Sequence, residues 1–198
     1  MRDIANAGIR LLVISLVAAL LLAGTNMITR GPIAERQRDN AVSARQAVMP
    51  EADSFEPVEW PELTGLDAFP SLAEAFEARR GGEVVGYTFL FTPMGYKAEI
   101  PVSVGITLPD GTDSPDGPGT ITGVAIGDIS ETSGLGSRIK EDAFLSQFRG
   151  VGTDRLDSDV NTITGATISS GAVKDAVRNA ALALNALREG AASQDGEE

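Results

Sequence analysis

Four hydroxyl side chains fall within seven residues near the C-terminus, in the run Thr164-Gly165-Ala166-Thr167-Ile168-Ser169-Ser170-Gly171. The run reads as a short loop feeding a helix. From Val173 the apolar positions Val173, Val177, Ala180, Leu184 and Leu187 recur at steps of four, three, four and three, which is one face of an amphipathic helix. A small-residue turn at a helix start leaves backbone N–H groups without intrahelical partners. With the positive end of the helix dipole, those donors make a seat for an anion such as phosphate. Thr and Ser before a helix are also ordinary N-caps, but a cap needs one hydroxyl and this run has four. Gly165 and Ala166 leave room for a bulky group to approach the backbone.

A second run, Glu131-Thr132-Ser133-Gly134-Leu135-Gly136, places a carboxylate and a hydroxyl in a glycine-rich turn. Gly134 and Gly136 would let backbone come close to a flat ring. Other chemistries are closed to the chain. It has no Cys, which removes disulfides, thiolate nucleophiles, iron–sulfur clusters and Cys-based zinc sites. It has no His, which removes the commonest general base and metal ligand. Any redox chemistry must come from an organic cofactor. The acidic run Asp110 to Gly119 lacks the oxygen-ligand order of a calcium loop and reads as a solvated turn.

Thr164-Gly165-Ala166-Thr167-Ile168-Ser169-Ser170 closely resembles the flavinylation motif of FMN-binding domains in the G subunit of Rnf-type electron transport complexes. The C subunit of the sodium-translocating NADH:quinone reductase is similar; the compact length here favours the former. Glu131 to Gly136 resembles the same family's Glu-Thr-Pro-Gly-Leu-Gly loop, which lies against the flavin, with Ser133 where Pro is usual and Ile129 where a His is common. Asn161 stands where the family often has an acidic residue. The resemblance implies FMN held by a phosphoester bond to Thr167. It implies a cofactor site drawn from Thr164, Gly165, Ala166, Ser169, Ser170, Glu131, Thr132, Gly134, Leu135 and Gly136. It names no catalytic residue and no metal. A separate flavin transferase, with FAD as donor and Mg²⁺, would attach the group. The implied role is an electron-relay subunit of a membrane-bound, ion-translocating complex, with other membrane subunits as partners. The alternatives are a membrane-tethered flavin sensor or regulator, and an anchored interaction domain with no flavin.

The elements that must position these motifs follow from patterning. Leu11 to Thr29 is a stretch of 19 uncharged residues, long enough to nearly cross a hydrocarbon core of about 30 Å; a cleaved signal peptide is the other reading. Gly31-Pro32 suggests a fresh helix start and Pro50 an end. Residues 51–72 read as a surface loop anchored by Trp60 and Phe69. Gly81-Gly82 between two runs rich in β-formers predicts a hairpin, although Ser71-Leu72-Ala73-Glu74 also fits a helix capping box. Val84 to Phe91 reads as a central strand. Met94-Gly95-Tyr96 turns into Ala98 to Leu108, where Ile100, Val102, Val104, Ile106 and Leu108 alternate; Thr120 to Ile126 is the strand paired with it. Lys140 to Phe148 reads as a short helix and Gly150 to Asp159 as a polar connector.

The expected fold is therefore α+β: a single N-terminal transmembrane helix followed by an FMN-binding domain with an antiparallel sheet and flanking helices. The divisions are 1–10 (cytoplasmic N-terminus), 11–29 (transmembrane helix), 30–50 (membrane-proximal helix), 51–190 (FMN-binding domain) and 191–198 (disordered acidic tail). With 28 acidic against 16 basic residues the net charge is −12, which argues against nucleic acid as a partner. The arginines that follow the span favour a cytoplasmic domain by the positive-inside rule. The resemblance implies the reverse: membrane lipid around the helix and the domain on the periplasmic, outer face of a bacterial inner membrane.

Overall fold

The structure is a computed structural model and describes residues 2–58, 69–108 and 119–194. Trp60, the acidic turn from Asp110 to Pro118 and the last four residues of the tail lie outside them. The chain divides into two units, Met1–Val42 and Ser43–Glu198.

The described residues of the first unit are all helical and form most of α1 (Arg2–Val48). Its window Arg10–Met27 has 18 residues, a mean hydropathy of 1.8 and nothing buried against protein. Leu11, Ile14, Leu20 and Leu22 are all exposed. A helix apolar on every side has no soluble surface to offer, and this one is long and apolar enough to cross a membrane. The fresh helix start read at Gly31-Pro32 is not made, because α1 runs through it. A proline withholds one N–H donor, and the flanking turns can carry the helix past it with a local bend.

The second unit is an antiparallel meander of five strands in sequence order: β1 (Ser54–Pro57), β2 (Leu72–Arg80), β3 (Glu83–Phe91), β4 (Val102–Thr107) and β5 (Thr120–Ile126). The Gly81-Gly82 hairpin joins β2 to β3, so the helical alternative at Ser71–Glu74 does not form. Alternation sets the faces. Phe89 lies opposite Ala75 and Val104, and Val104 opposite Val124, so these side chains share one side of the sheet. Across that side lies α4 (Thr167–Gln194), packed on β3 and β4. Its stripe Val173, Val177, Ala180, Leu184 and Leu187 is wholly buried. Phe144 and Phe148 close one end of this core edge-to-face, 5.3 Å between centroids. They come from α2 (Asp142–Leu145) and a following 3₁₀ turn, so the helix expected over Lys140–Phe148 is three short turns.

Elsewhere the differences are local. Residues 51–72 hold β1, an edge strand that is mostly exposed and therefore gives no alternating signal. Phe69 is buried as an anchor. The connector 150–159 contains one helical turn, α3 (Leu156–Asp159), with Leu156 in the core. The Lys174 ammonium donates to the carbonyls of Val160 and Asp157 at 2.9 and 3.3 Å, tying the end of that turn to α4. The end of α4 passes Gly190 and reaches Gln194, beyond the expected stop; one helical glycine costs only about 1 kcal/mol.

On the other face of the sheet, Val48 and Met49 are buried at the end of α1. Gly86, Gly105 and Gly123, on three neighbouring strands, form the floor beneath them. The Thr122 hydroxyl donates to the Val48 carbonyl, and the Arg45 guanidinium lies 3.7 Å above the Phe76 ring while pairing with Glu74 at 3.0 Å.

Candidate functional site

The hydroxyl-rich run opens with a β-turn. The Ala166 N–H donates to the Ile163 carbonyl at 2.9 Å, and Gly165 sits third in the turn at φ +85°. That conformation is open to glycine and strained for other residues. Helix α4 then begins at Thr167, which puts Ala166 at the cap position. Alanine has no oxygen to offer the first-turn N–H groups, so the ordinary N-cap reading of the hydroxyls does not describe this helix start.

The four hydroxyls have different fates. Ser170 is buried, accepts from the Ile163 N–H at 3.0 Å and donates to the Ala166 carbonyl at 2.8 Å, locking the turn from inside. Ser169 is buried and donates to Glu131 Oε2 at 2.7 Å. Thr164 and Thr167 are exposed. Of these two, Thr167 lines a cleft of about 490 Å³.

That cleft brings the two sequence motifs together. One wall is Glu131, Thr132, Leu135 and Gly136; the other is Gly165, Ala166, Thr167, Ile168 and Ser169; Tyr96 reaches in from the β3–β4 connection. Thr164, Gly134 and Ser170 do not line it. Gly134 supports its loop instead, donating its N–H to the Ser137 hydroxyl at 3.0 Å. The Arg138 guanidinium leans on the Thr164 carbonyl at 3.4 Å. Tyr96, Leu135 and Ile168, with neighbouring Met94, are each half exposed or more. Outside α1, Leu182 alone joins them as an exposed large apolar side chain among the described residues. An apolar rim over a cleft that also holds Glu131 and the hydroxyls of Thr132, Thr167 and Ser169 has the make-up of a small-molecule site.

Glu131 anchors the arrangement electrostatically. Burial pushes its carboxyl up, but the Lys97 N–H, the Ser169 hydroxyl and the N–H groups of Ala98 and Tyr96 together outweigh burial and hold it below the usual glutamate value. Asp157 is likewise held low, by Arg178 and then Lys174. A carboxyl with a folded value below its unfolded one adds stability that is complete above the ordinary carboxylate range. That stability is lost as pH falls through the folded value. Melting temperature is therefore expected to stay flat between about pH 7 and about pH 5 and to fall below about pH 4. In Glu131→Gln the acid fall should be shallower, as read by thermal melts across that range.

Tyr96 and Ile168 line the cleft without being among the site residues expected from the sequence. The Gly95-Tyr96 turn is legible as a turn, and Ile168 lies inside the motif itself, so both were within reach. The backbone donors of Tyr96, Lys97 and Ala98 carry no signal in residue type.

Comparison with known proteins shows the family of the chain. The FMN-binding domain family matches residues 95–182, from the Gly95 turn into α4. The G subunit of the Na⁺-translocating ferredoxin:NAD⁺ oxidoreductase complex of Acetobacterium woodii is 36% identical over 188 residues, 86% of each chain. The G subunit of the ion-translocating oxidoreductase complex of Methanosarcina acetivorans is 32% identical over 184 residues, 90% of this chain and 93% of that one. The crystal structure of Shewanella oneidensis NqrC is similar at 19% identity and a TM-score of 0.42, over 68% of this chain and 66% of that one. With its FMN-binding domain and relatives matched along most of their length, the chain belongs to the family of G subunits of Rnf-type, ion-translocating oxidoreductase complexes.

Proposed function

We propose that the chain is a membrane-anchored electron-relay subunit that carries FMN on Thr167 through a phosphoester bond, within a complex that couples ferredoxin and NAD⁺ redox to ion movement. The observation that carries this reading is the sorting of the hydroxyls: Ser169 and Ser170 are buried and engaged, while Thr167 is exposed at the first residue of α4 and lines the apolar-rimmed cleft. Attachment from FAD joins the Thr167 oxygen to the FMN-side phosphorus. The phosphoanhydride breaks, AMP leaves, the hydroxyl proton goes to solvent, and no electrons are exchanged. A separate flavin transferase performs that step.

Bound FMN supplies the one- and two-electron chemistry. The residues of the chain bind and orient. The first-turn N–H groups of α4 and the positive end of its dipole would face the phosphate. Tyr96, Leu135 and Ile168 would exclude water from the ring, and Glu131 keeps the walls in register. The apolar α1 is the anchor, with the domain on the outer face of the membrane. Two measurements test this. The denatured full-length band, made in a host with the transferase, should fluoresce under ultraviolet light; a dark, unmodified band ends the reading of a covalent phosphoester on Thr167. The chain has no Cys and Asn185 is exposed on α4, so a single Asn185→Cys labelled in intact cells by a membrane-impermeant maleimide should mark the outer face. Labelling only after lysis would reverse the topology.

A further inference from the structure

The Glu131 carboxylate does more than border the cleft. Its Oε1 accepts the Lys97 N–H at 3.0 Å and its Oε2 accepts the Ser169 hydroxyl at 2.7 Å. Two glycines make the slot it occupies. A Cβ on Gly95 would stand 2.7 Å from Oε1, and one on Gly136 would stand 2.6 Å from Oε2. Three segments far apart in sequence thus close on one side chain: the 95–98 turn, the 131–136 loop and the first turn of α4. A carboxylate presents about four acceptor positions, and here a backbone N–H engages one oxygen and a hydroxyl the other.

We infer that Glu131 is a positioning residue rather than a flavin ligand: it assembles the cleft before any cofactor arrives and, by engaging Ser169, leaves Thr167 as the hydroxyl offered for attachment. Residues two apart on a helix point about 200° away from each other. Fixing Ser169 inward on Glu131 therefore turns Thr167 outward, which is where it is found. The choice of acceptor among neighbouring hydroxyls is then made by the fold, through a contact 38 residues away in sequence. The part of this inference that concerns attachment rests on the function proposed above; the part that concerns cleft assembly does not.

The test uses the full chain in detergent, made without the transferase, and has two readouts. The first is amide hydrogen exchange in residues 95–98 and 163–170, where the Ile163, Ala166 and Ser170 N–H groups are hydrogen-bonded, with β3 and β4 as internal reference. The second is the rate of attachment to Thr167 on adding purified transferase, FAD and Mg²⁺. Glu131→Ala should speed exchange in both segments by about tenfold or more, leave β3 and β4 unchanged, and slow attachment by about tenfold or more, the scale expected when a reacting group loses its placement. Glu131→Gln keeps an acceptor for Lys97, and Ser169 can turn to accept its amide, so it should lie much closer to wild type. Ser169→Ala cuts one arm only and should loosen 163–170 but not 95–98; it carries the test should Glu131→Ala fail to fold. Wild-type exchange in both Glu131→Ala and Ser169→Ala would overturn the inference. A wild-type chain that never takes flavin would sink the proposed function and leave the exchange result to decide cleft assembly.

Discussion

Thr167→Ala is expected to remove covalent FMN completely. In a host carrying the transferase, the wild-type mass should exceed the sequence mass by FMN less one water. The Thr167→Ala mass should equal the sequence mass, and its denatured band should be dark under ultraviolet light. Nearby hydroxyls are placed so that they cannot stand in. Ser170 is buried and holds the turn through Ile163 and Ala166, Ser169 is buried on Glu131, and Thr164 lies outside the cleft lining. The fold itself should not notice the change. Thr167 is exposed, and exposed substitutions that break no cap or packing contact stay within about 0.5 kcal/mol. Unchanged melting of the flavin-free variant would separate loss of the acceptor from loss of structure. Thr167→Ser keeps an oxygen at the same place and should retain at least part of the label. A fluorescent Thr167→Ala band would put the bond elsewhere and remove the basis for reading this cleft as the attachment site.

Why so much of the site was legible in the sequence, and where legibility stopped, follows from the kind of physics each feature uses. The α4 stripe and the alternation through Val102, Val104 and Ile106 are periodic, and periodicity survives in one dimension. The Gly81-Gly82 hairpin is a local turn requirement. The start of α4 is harder to read, because its first turn is built from Thr167, Ile168, Ser169 and Ser170. Here the helix is held by hydrogen bonds and buried hydroxyls rather than by an apolar stripe. β1 is four residues at a sheet edge with only Phe55 partly packed, so neither face imposes a pattern. The two motifs could be named separately, yet their junction at Glu131 and Ser169 is a tertiary contact between residues whose types suit many other roles. The glycines at 95 and 136 look like turn punctuation in the sequence, and Gly105 carries no mark inside its strand; in the fold, each is a place where another group comes too close for a Cβ.

Gly105→Ala should be among the most destabilising single-methyl changes in the second unit. Gly105 lies in the middle of β4, opposite Gly123 on β5. A Cβ there would stand 2.4 Å from the Val48 carbonyl oxygen and 2.5 Å from the Thr122 hydroxyl. Neither neighbour can yield cheaply. Val48 and Met49 are 1% and 0% exposed, so relief requires lifting the last turn of α1 off the sheet. That movement breaks the Thr122–Val48 hydrogen bond and leaves a buried carbonyl without its donor. Overpacking of this kind costs about 1–3 kcal/mol, and an orphaned buried acceptor about 1–3 kcal/mol more. A loss of roughly 2–6 kcal/mol should lower the melting temperature by roughly 4–24 °C for a domain of this size. Gly171→Ala supplies the opposite case in the same experiment. It lies inside α4 with no atom within 4 Å of the added methyl, so the gain in helix propensity should stabilise by about 0.5–1 kcal/mol. If both variants melted with wild type, the glycine floor beneath Val48 would not be bearing the helix end, and the seat of that last turn on the sheet would have to be sought elsewhere.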